Sequence, residues 1–109
     1  MGMVREYNIH IVNLDPTVGM EIKKSRPCVV LSPGKMNSVL GTVIIAPMTS
    51  TIRGYPSRVE IRFQSKRGEV CLDQMRAVDE SRLSKQPIGR LKQDEIDGIK
   101  DAMAEVFEL

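Results

Sequence analysis

The clearest periodic signal in the chain is Arg58-Val59-Glu60-Ile61-Arg62-Phe63, where charged and apolar residues alternate strictly. A period of two puts Val59, Ile61 and Phe63 on one side of an extended segment and Arg58, Glu60 and Arg62 on the other, which predicts a half-buried strand. Residues 8–14 are rich in β-branched side chains and predict a strand that ends at Asp15-Pro16-Thr17, because proline cannot continue a central ladder. The apolar runs at 27–32 and 42–48 predict two more strands, with Ser32-Pro33-Gly34 as a turn signal after the first. Glu69 to Val78 reads as one long strand entered after a turn at Lys66-Arg67-Gly68, and 88–91 as a short one.

The period changes near the end. Ile96, Ile99, Met103, Val106 and Phe107 fall at helical spacings, with Asp94, Glu95 and Asp97 gathered early, where carboxylates suit the helix dipole. An amphipathic helix is expected over 93–107, with Gly98 as its weak point and Phe107 in its apolar face. Several short antiparallel strands followed by one helix predict a mainly β fold: a small, curled β-barrel with a C-terminal α-helix, formed by residues 1–109 as a single domain.

Composition narrows the class. Hydrophobic residues at 41% and charged residues at 28% are ordinary for a globular domain. No apolar run approaches the ~20 residues that a membrane helix needs, and Tyr7, Asn8 and His10 interrupt any signal-peptide-like stretch, so a cytoplasmic location is expected. Cys28 and Cys71 each sit inside an apolar run and are expected to be reduced, buried small hydrophobes. The net charge of +2 hides an asymmetry: Met20 to Gly68 holds nine basic and two acidic residues, whereas Glu69 to Leu109 holds six basic and ten acidic. A basic middle and an acidic end are consistent with one face built for a polyanion, or with a solvated face whose charges cluster in sequence.

Counting excludes several chemistries. His10 is the single histidine, so an imidazole pair acting as acid and base is impossible, and its place in the first strand favours a hydrogen-bonding role. No Gly-rich phosphate loop, nucleophile elbow or zinc-binding helix motif occurs. No carboxylates have the spacing of a divalent-metal site, so no metal or other cofactor is expected. Two polar loops do stand out, each joining apolar strands: Leu14-Asp15-Pro16-Thr17-Val18-Gly19-Met20-Glu21, followed by Arg26 to Ser32, and Pro47-Met48-Thr49-Ser50. Loops held by rigid strands are where sites tend to lie.

These blocks, with Asn37 and Gly41, Gly54-Tyr55-Pro56, and the run from Asp73 to Asp79, resemble the MazF/PemK toxin ribonucleases in order and spacing, from about residue 8 to residue 91. The resemblance implies an SH3-like barrel of the CcdB/MazF kind and a homodimer. It implies an endoribonuclease that cuts single-stranded RNA at short motifs by 2′-hydroxyl attack, leaving a 2′,3′-cyclic phosphate and a 5′-hydroxyl. It also implies neutralisation by a cognate MazE-like antitoxin with an acidic tail. Arg26 matches the family's catalytic arginine, Thr49 its catalytic threonine, and Glu21 an acidic residue beside the site.

Chemistry fits those roles. The RNA supplies its own nucleophile, so the protein must stabilise charge and move protons. Arg26 offers a planar fork of donors to phosphate oxygens, Thr49 a hydroxyl donor, and Glu21 an acceptor for the 2′-hydroxyl proton. Without the resemblance, Arg26 reads as a positioning cation, Thr49 as a turn cap, and Glu21 as an ion-pair partner of Lys23 or Lys24. Candidate RNA contacts are Thr17, Lys23, Lys24, Ser50, Arg53, Tyr55, Asp73 and Gln74, with Tyr55 the best exposed stacking ring in a chain only 4% aromatic. Two departures stand out. Tyr7-Asn8 and His10 replace the residues that usually open the first strand. In the PemK subgroup an arginine and an aspartate two residues apart are assigned proton transfer; Asp73 matches the aspartate, but Cys71 stands at the arginine position, so Asp73 and Gln74 are read as structural or RNA-contacting. The alternative is a gyrase poison like CcdB, against which stands the absence of tryptophan.

Overall fold

A strand whose apolar residues alternate must find a partner for each edge and a cover for each apolar face, and one curled antiparallel sheet meets both demands here. The structure is a computed structural model and describes residues 3–108. Its elements are β1 (Asn8–Asn13), β2 (Ser25–Val30), α1 (Gly34–Leu40), β3 (Thr42–Thr49), β4 (Arg58–Phe63), β5 (Lys66–Cys71), β6 (Arg76–Asp79), β7 (Gly89–Arg90) and α2 (Gln93–Val106), with 3₁₀ turns at Leu72–Gln74 and Glu80–Arg82. The strands pair in the order β4-β5-β3-β2-β1-β7, and β6 also pairs with β3. Phe63 at the end of β4 lies so close to Gly89 on β7 that a Cβ there would stand 2.7 Å from its ring. The two ends of the sheet therefore curl toward each other, as expected of a small barrel.

Alternation divides the sheet into two faces. Ile9, Val29, Ala46, Met48, Ile61 and Val70 turn to the side covered by α2, where they pack with Leu91, Ile96 and Ile99. Val12, Cys28, Val30, Val43, Ile45 and Val78 turn to the other side and form a second buried cluster. Helix α2 is tied down by Glu95, which accepts from its own N-terminal Lys92 N (2.8 Å) and from Arg62 N of β4 (2.9 Å). Gly98 lies where the helix approaches β4, with Val59 Cγ1 3.3 Å from where a Cβ would stand. Phe107, in contrast, is 48% exposed and lies outside the core, because the helix ends at Val106 and the ring follows its last turn.

Three further expectations change. The stretch 69–78 is two strands. Continuing the Met48↔Val70 pairing would set Asp73 opposite Ile45, yet Ile45 faces Arg76. The register slips by the three residues of the 3₁₀ turn Leu72–Gln74, and this kink lifts Asp73 and Gln74 out of the ladder. The hairpin turn is Gln64-Ser65, both at positive φ, rather than Lys66-Arg67-Gly68, since Lys66 already pairs with Phe63. Finally, β2 runs from 25 to 30, and helix α1 follows where only a turn was read. Its burial inverts the usual pattern: Asn37 is 1% exposed and donates to Val4 O and Ser32 O, while Met36, Val39 and Leu40 face outward. Cys28 and Cys71 are free and buried, as expected. No helix among the described residues is long and apolar enough to cross a membrane.

Candidate active site

Arg26 and Thr49 lie 23 positions apart in sequence, and the register of the sheet brings their strands together. Strands β2 and β3 pair at Val30↔Ile45, Val29↔Ala46 and Cys28↔Pro47. The pairing ends there; two further steps along the same register would set Arg26 opposite Thr49, on the face of Cys28 and Pro47 and away from α2. There the two strands take other partners: Arg26 pairs with Val12 of β1, and Thr49 with Glu69 of β5. The sheet divides between them, and both side chains are half-buried at the division.

The two groups are free to act on a ligand. Arg26 Nε donates to Lys23 O at 3.0 Å, which fixes the guanidinium plane. Its two Nη groups make no hydrogen bond or ion pair among the described residues. Thr49 Oγ1 accepts from Thr51 N at 3.2 Å, leaving its own proton to donate. The Arg26 charge extends over the site floor. Burial pushes the Cys28 thiol up to about 12 and the Cys71 thiol up to about 11, and Arg26 partly offsets the rise at both.

Glu21 is exposed in the 17–24 loop, where its Oε1 accepts from Val18 N and closes a short turn; it makes no ion pair with Lys23 or Lys24. The loop is held from several sides. Thr17 Oγ1 and Lys24 N both donate to Asp15 Oδ1, at 3.4 and 3.1 Å. Gln74 accepts from Ile22 N (3.2 Å) and donates to Met20 O (3.4 Å), so its amide serves the loop. Glu21, Asp73, Gln74, Pro47 and Arg76 line a cavity of about 340 Å³ beneath that loop. Lys23 and Lys24 are exposed in the same loop. A larger cavity of about 810 Å³, walled by Val4, His10, Leu83 and Pro87, contains none of the candidate residues. His10 itself is buried and hydrogen-bonded through Nδ1 to Ser84 O at 2.8 Å.

On the other side of the division, Ser50, Arg53 and Tyr55 are exposed in the 50–57 loop. Here the structure adds residues that the sequence reading did not select. Arg58 is the cross-strand partner of Cys71. It reaches Asp73 with two hydrogen bonds, Nε to Oδ1 at 2.6 Å and Nη2 to Oδ2 at 3.1 Å. Ser57 Oγ donates to the same carboxylate at 2.9 Å. These hydrogen bonds, Arg58's first, hold the Asp73 carboxyl below its ordinary range. Asp73 therefore does have an arginine, supplied by the adjacent strand rather than by position 71. The Tyr55 ring lies over the Arg58 guanidinium at 5.4 Å. Buried Glu69 grips the loop backbone, accepting from Arg53 N (3.1 Å) and Gly54 N (2.9 Å). The available signal for both was parity: Arg58, Glu60, Glu69 and Cys71 fall on the sheet face that carries Thr49.

Comparison with known proteins agrees with this architecture. The profile of the family described as PemK-like, MazF-like toxin of type II toxin-antitoxin system matches residues 5–107. The endoribonuclease toxin MazF of Escherichia coli K12 is 37% identical over 67 residues, 62% of this chain; the matched stretch spans 60% of that relative's length. Endoribonuclease MazF9 of Mycobacterium tuberculosis is 32% identical over 93% of both chains. The crystal structure of MazF from Deinococcus radiodurans superposes with a TM-score of 0.86 at 25% identity, covering all of both chains.

Proposed function

Because this chain belongs to the PemK-like, MazF-like toxin family of type II toxin–antitoxin systems, we propose that it is an endoribonuclease toxin that cleaves single-stranded RNA. The reaction we propose is metal-independent and sequence-specific. The 2′-hydroxyl oxygen gives up its proton and attacks the adjacent phosphorus, the bond to the 5′-oxygen breaks, and the leaving oxygen takes up a proton. The products are a 2′,3′-cyclic phosphate and a 5′-hydroxyl end.

The observation that carries this reading is the β2–β3 register, which runs toward Arg26 on one strand and Thr49 on the other, with both Arg26 Nη groups unpaired among the described residues. An uncommitted guanidinium in a half-buried setting is suited to the charge that builds on phosphate oxygens in the transition state. Thr49 donates to the same phosphate. Glu21, with one carboxylate oxygen used by Val18 N, keeps the other to take the 2′-hydroxyl proton. Lys23, Lys24, Thr17, Ser50, Arg53 and Tyr55 then contact the RNA on either side of the cleaved bond. Asp73 and Gln74 act mainly by holding Arg58 and the 17–24 loop.

The same cations are available to the acidic tail of a cognate antitoxin, which would inhibit by covering them. The working unit proposed is a homodimer acting on mRNA in the cytoplasm.

The test is incubation of pure protein with a long single-stranded RNA in excess EDTA, followed by mapping of the product ends. Cleavage with 5′-hydroxyl ends is expected, reduced at least about 100-fold by Arg26→Ala or Thr49→Ala, the order seen when one transition-state donor is removed. Cleavage that EDTA abolishes would reject the mechanism, and intact RNA alongside inhibited DNA supercoiling would reinstate a gyrase poison.

A further inference from the structure

Ser50 to Ser57 joins β3 to β4 without regular secondary structure, yet it carries Arg53 and Tyr55, the exposed cation and ring offered above to RNA. An eight-residue segment of this kind reaches a defined place only if something fixes its backbone. Its ends are secured locally, by Thr51 N on Thr49 Oγ1 and by Arg58 N on Tyr55 O at 2.9 Å. Beyond the Tyr55 ring over the Arg58 guanidinium, the backbone of its middle is held by one distant atom. Glu69 Oε2 accepts from both Arg53 N and Gly54 N. Gly54 has φ +71, a conformation that L side chains rarely adopt, and it lets two consecutive N–H groups converge on one oxygen.

Glu69 is an unusual residue for its position. It is 2% exposed, and a buried carboxylate is costly unless partnered. Its Oε1 has no hydrogen bond, and Arg58 Nη1 stands 3.9 Å away. Packing alone would be served by an apolar side chain, as at its neighbours Val70 and Cys71, both fully buried. Glu69 is also the cross-strand partner of Thr49, so the loop's anchor and the threonine offered to the phosphate share one rung of the ladder.

We infer that Glu69 is a positioning residue for RNA: it pins the 50–57 loop to the rung of Thr49, and so sets where Arg53 and Tyr55 meet nucleotides beside the cleaved bond. This rests on the ribonuclease reading. It assigns Glu69 to substrate capture and register rather than to the chemical step.

The test combines steady-state cleavage of a single-stranded RNA oligonucleotide with limited trypsin digestion, read by mass at the Arg53–Gly54 bond. Glu69→Ala is expected to raise KM about tenfold, equivalent to about 1.4 kcal/mol, with kcat within about threefold, and to speed nicking after Arg53. Glu69→Gln keeps an acceptor oxygen for the two amides and should restore most of both losses. If Glu69→Ala does not fold, Gly54→Ala serves. No atom lies within 4 Å of its added Cβ, so it perturbs only the backbone turn, and it should raise KM in the same direction. Variants that lose thermal stability while keeping wild-type KM and nicking rate would overturn the inference. If the wild type cleaves no RNA, the ribonuclease reading fails, and nicking alone judges the anchor: faster in Glu69→Ala supports it, unchanged overturns it.

Discussion

The same one-carbon substitution should have opposite effects at two glycines, and the structure gives both signs. At Gly68 on β5, an added Cβ would stand 2.7 Å from the Thr49 carbonyl oxygen and 3.6 Å from its carbon. Ordinary contact begins near 3.4 Å, so the strands must part by about 0.7 Å, and a backbone carbonyl within a ladder cannot rotate aside. Overpacking of this kind costs about 1–3 kcal/mol. Alanine returns ~0.5–1 kcal/mol through lower backbone entropy in the unfolded chain, for a net destabilisation of about 1 kcal/mol at mid-range and at most about 2.5. At Gly98 in α2, the added carbon meets only Val59 Cγ1 at 3.3 Å, a methyl on a half-buried side chain that need give by only a few tenths of an ångström. There the helix propensity gain of ~0.8–1.0 kcal/mol prevails. Thermal melts at one fixed protein concentration should show Gly68→Ala lower by roughly 5–10 °C and Gly98→Ala higher by a few degrees. Function should follow the same division. Displacing Thr49 by several tenths of an ångström should slow cleavage about 10- to 100-fold, and Gly98→Ala should leave it unchanged. A Gly68→Ala protein as stable and as active as the wild type would refute the close β3–β5 approach and the role given to Thr49.

Asp73→Asn should destabilise by about 1–2 kcal/mol at neutral pH, less than for a fully buried pair because the Asp73 side chain is 36% exposed. Its folded carboxyl is held below the ordinary value of 3.8. The stabilisation is therefore complete above that value and lost as pH falls through the lower folded one. Urea melts should show the wild type and the variant converging only below about pH 4, and convergence already between pH 5 and 7 would contradict the Arg58 pairing. Cys28 and Cys71, raised by burial to about 12 and about 11, should resist a thiol-reactive aromatic disulfide at pH 8 until denaturant is added, and two promptly reacting native thiols would disprove their burial. RNA binding should weaken with salt, and Lys23→Ala or Lys24→Ala should each reduce the log–log slope by about 0.7 if each contacts a phosphate; an unchanged slope in both would remove the 17–24 loop from the interface.

What was legible in the sequence was what alternation and composition determine locally. The Arg58–Phe63 strand and the terminal helix were evident because each has one apolar face and one polar face, and the first strand because it is rich in β-branched residues. Helix α1 was not, since its seven residues bury an asparagine and expose Met36, Val39 and Leu40. The division of 69–78 was hidden because both strands and the turn between them are apolar or mixed, and only the pairing with β3 reveals the three-residue slip. The same limit applied to the site. Arg26, Thr49 and Glu21 stood in ordered motif blocks. Arg58 and Glu69 had no motif, and their parts depend on which strands lie side by side.

That dependence also explains how so small a sheet holds a reactive geometry. Arg26 and Thr49 lie past the last pair that β2 makes with β3, so their relative position follows from Cys28, Val29 and Val30 against Ile45, Ala46 and Pro47. A slip of one residue in β2 would turn Val29 out of the helix-covered cluster and move the Arg26 charge into the space beside Ala46 and Met48. Since Cys28 and Val30 would replace Val29 there, the burial of an unpaired guanidinium is what opposes the slip, by kcal/mol rather than tenths. The two clusters on opposite faces of β2 therefore do more than stabilise the fold. They fix on which face the guanidinium emerges, and the separate pairings of Val12 with Arg26 and of Glu69 with Thr49 divide the sheet at the site proposed for the phosphate.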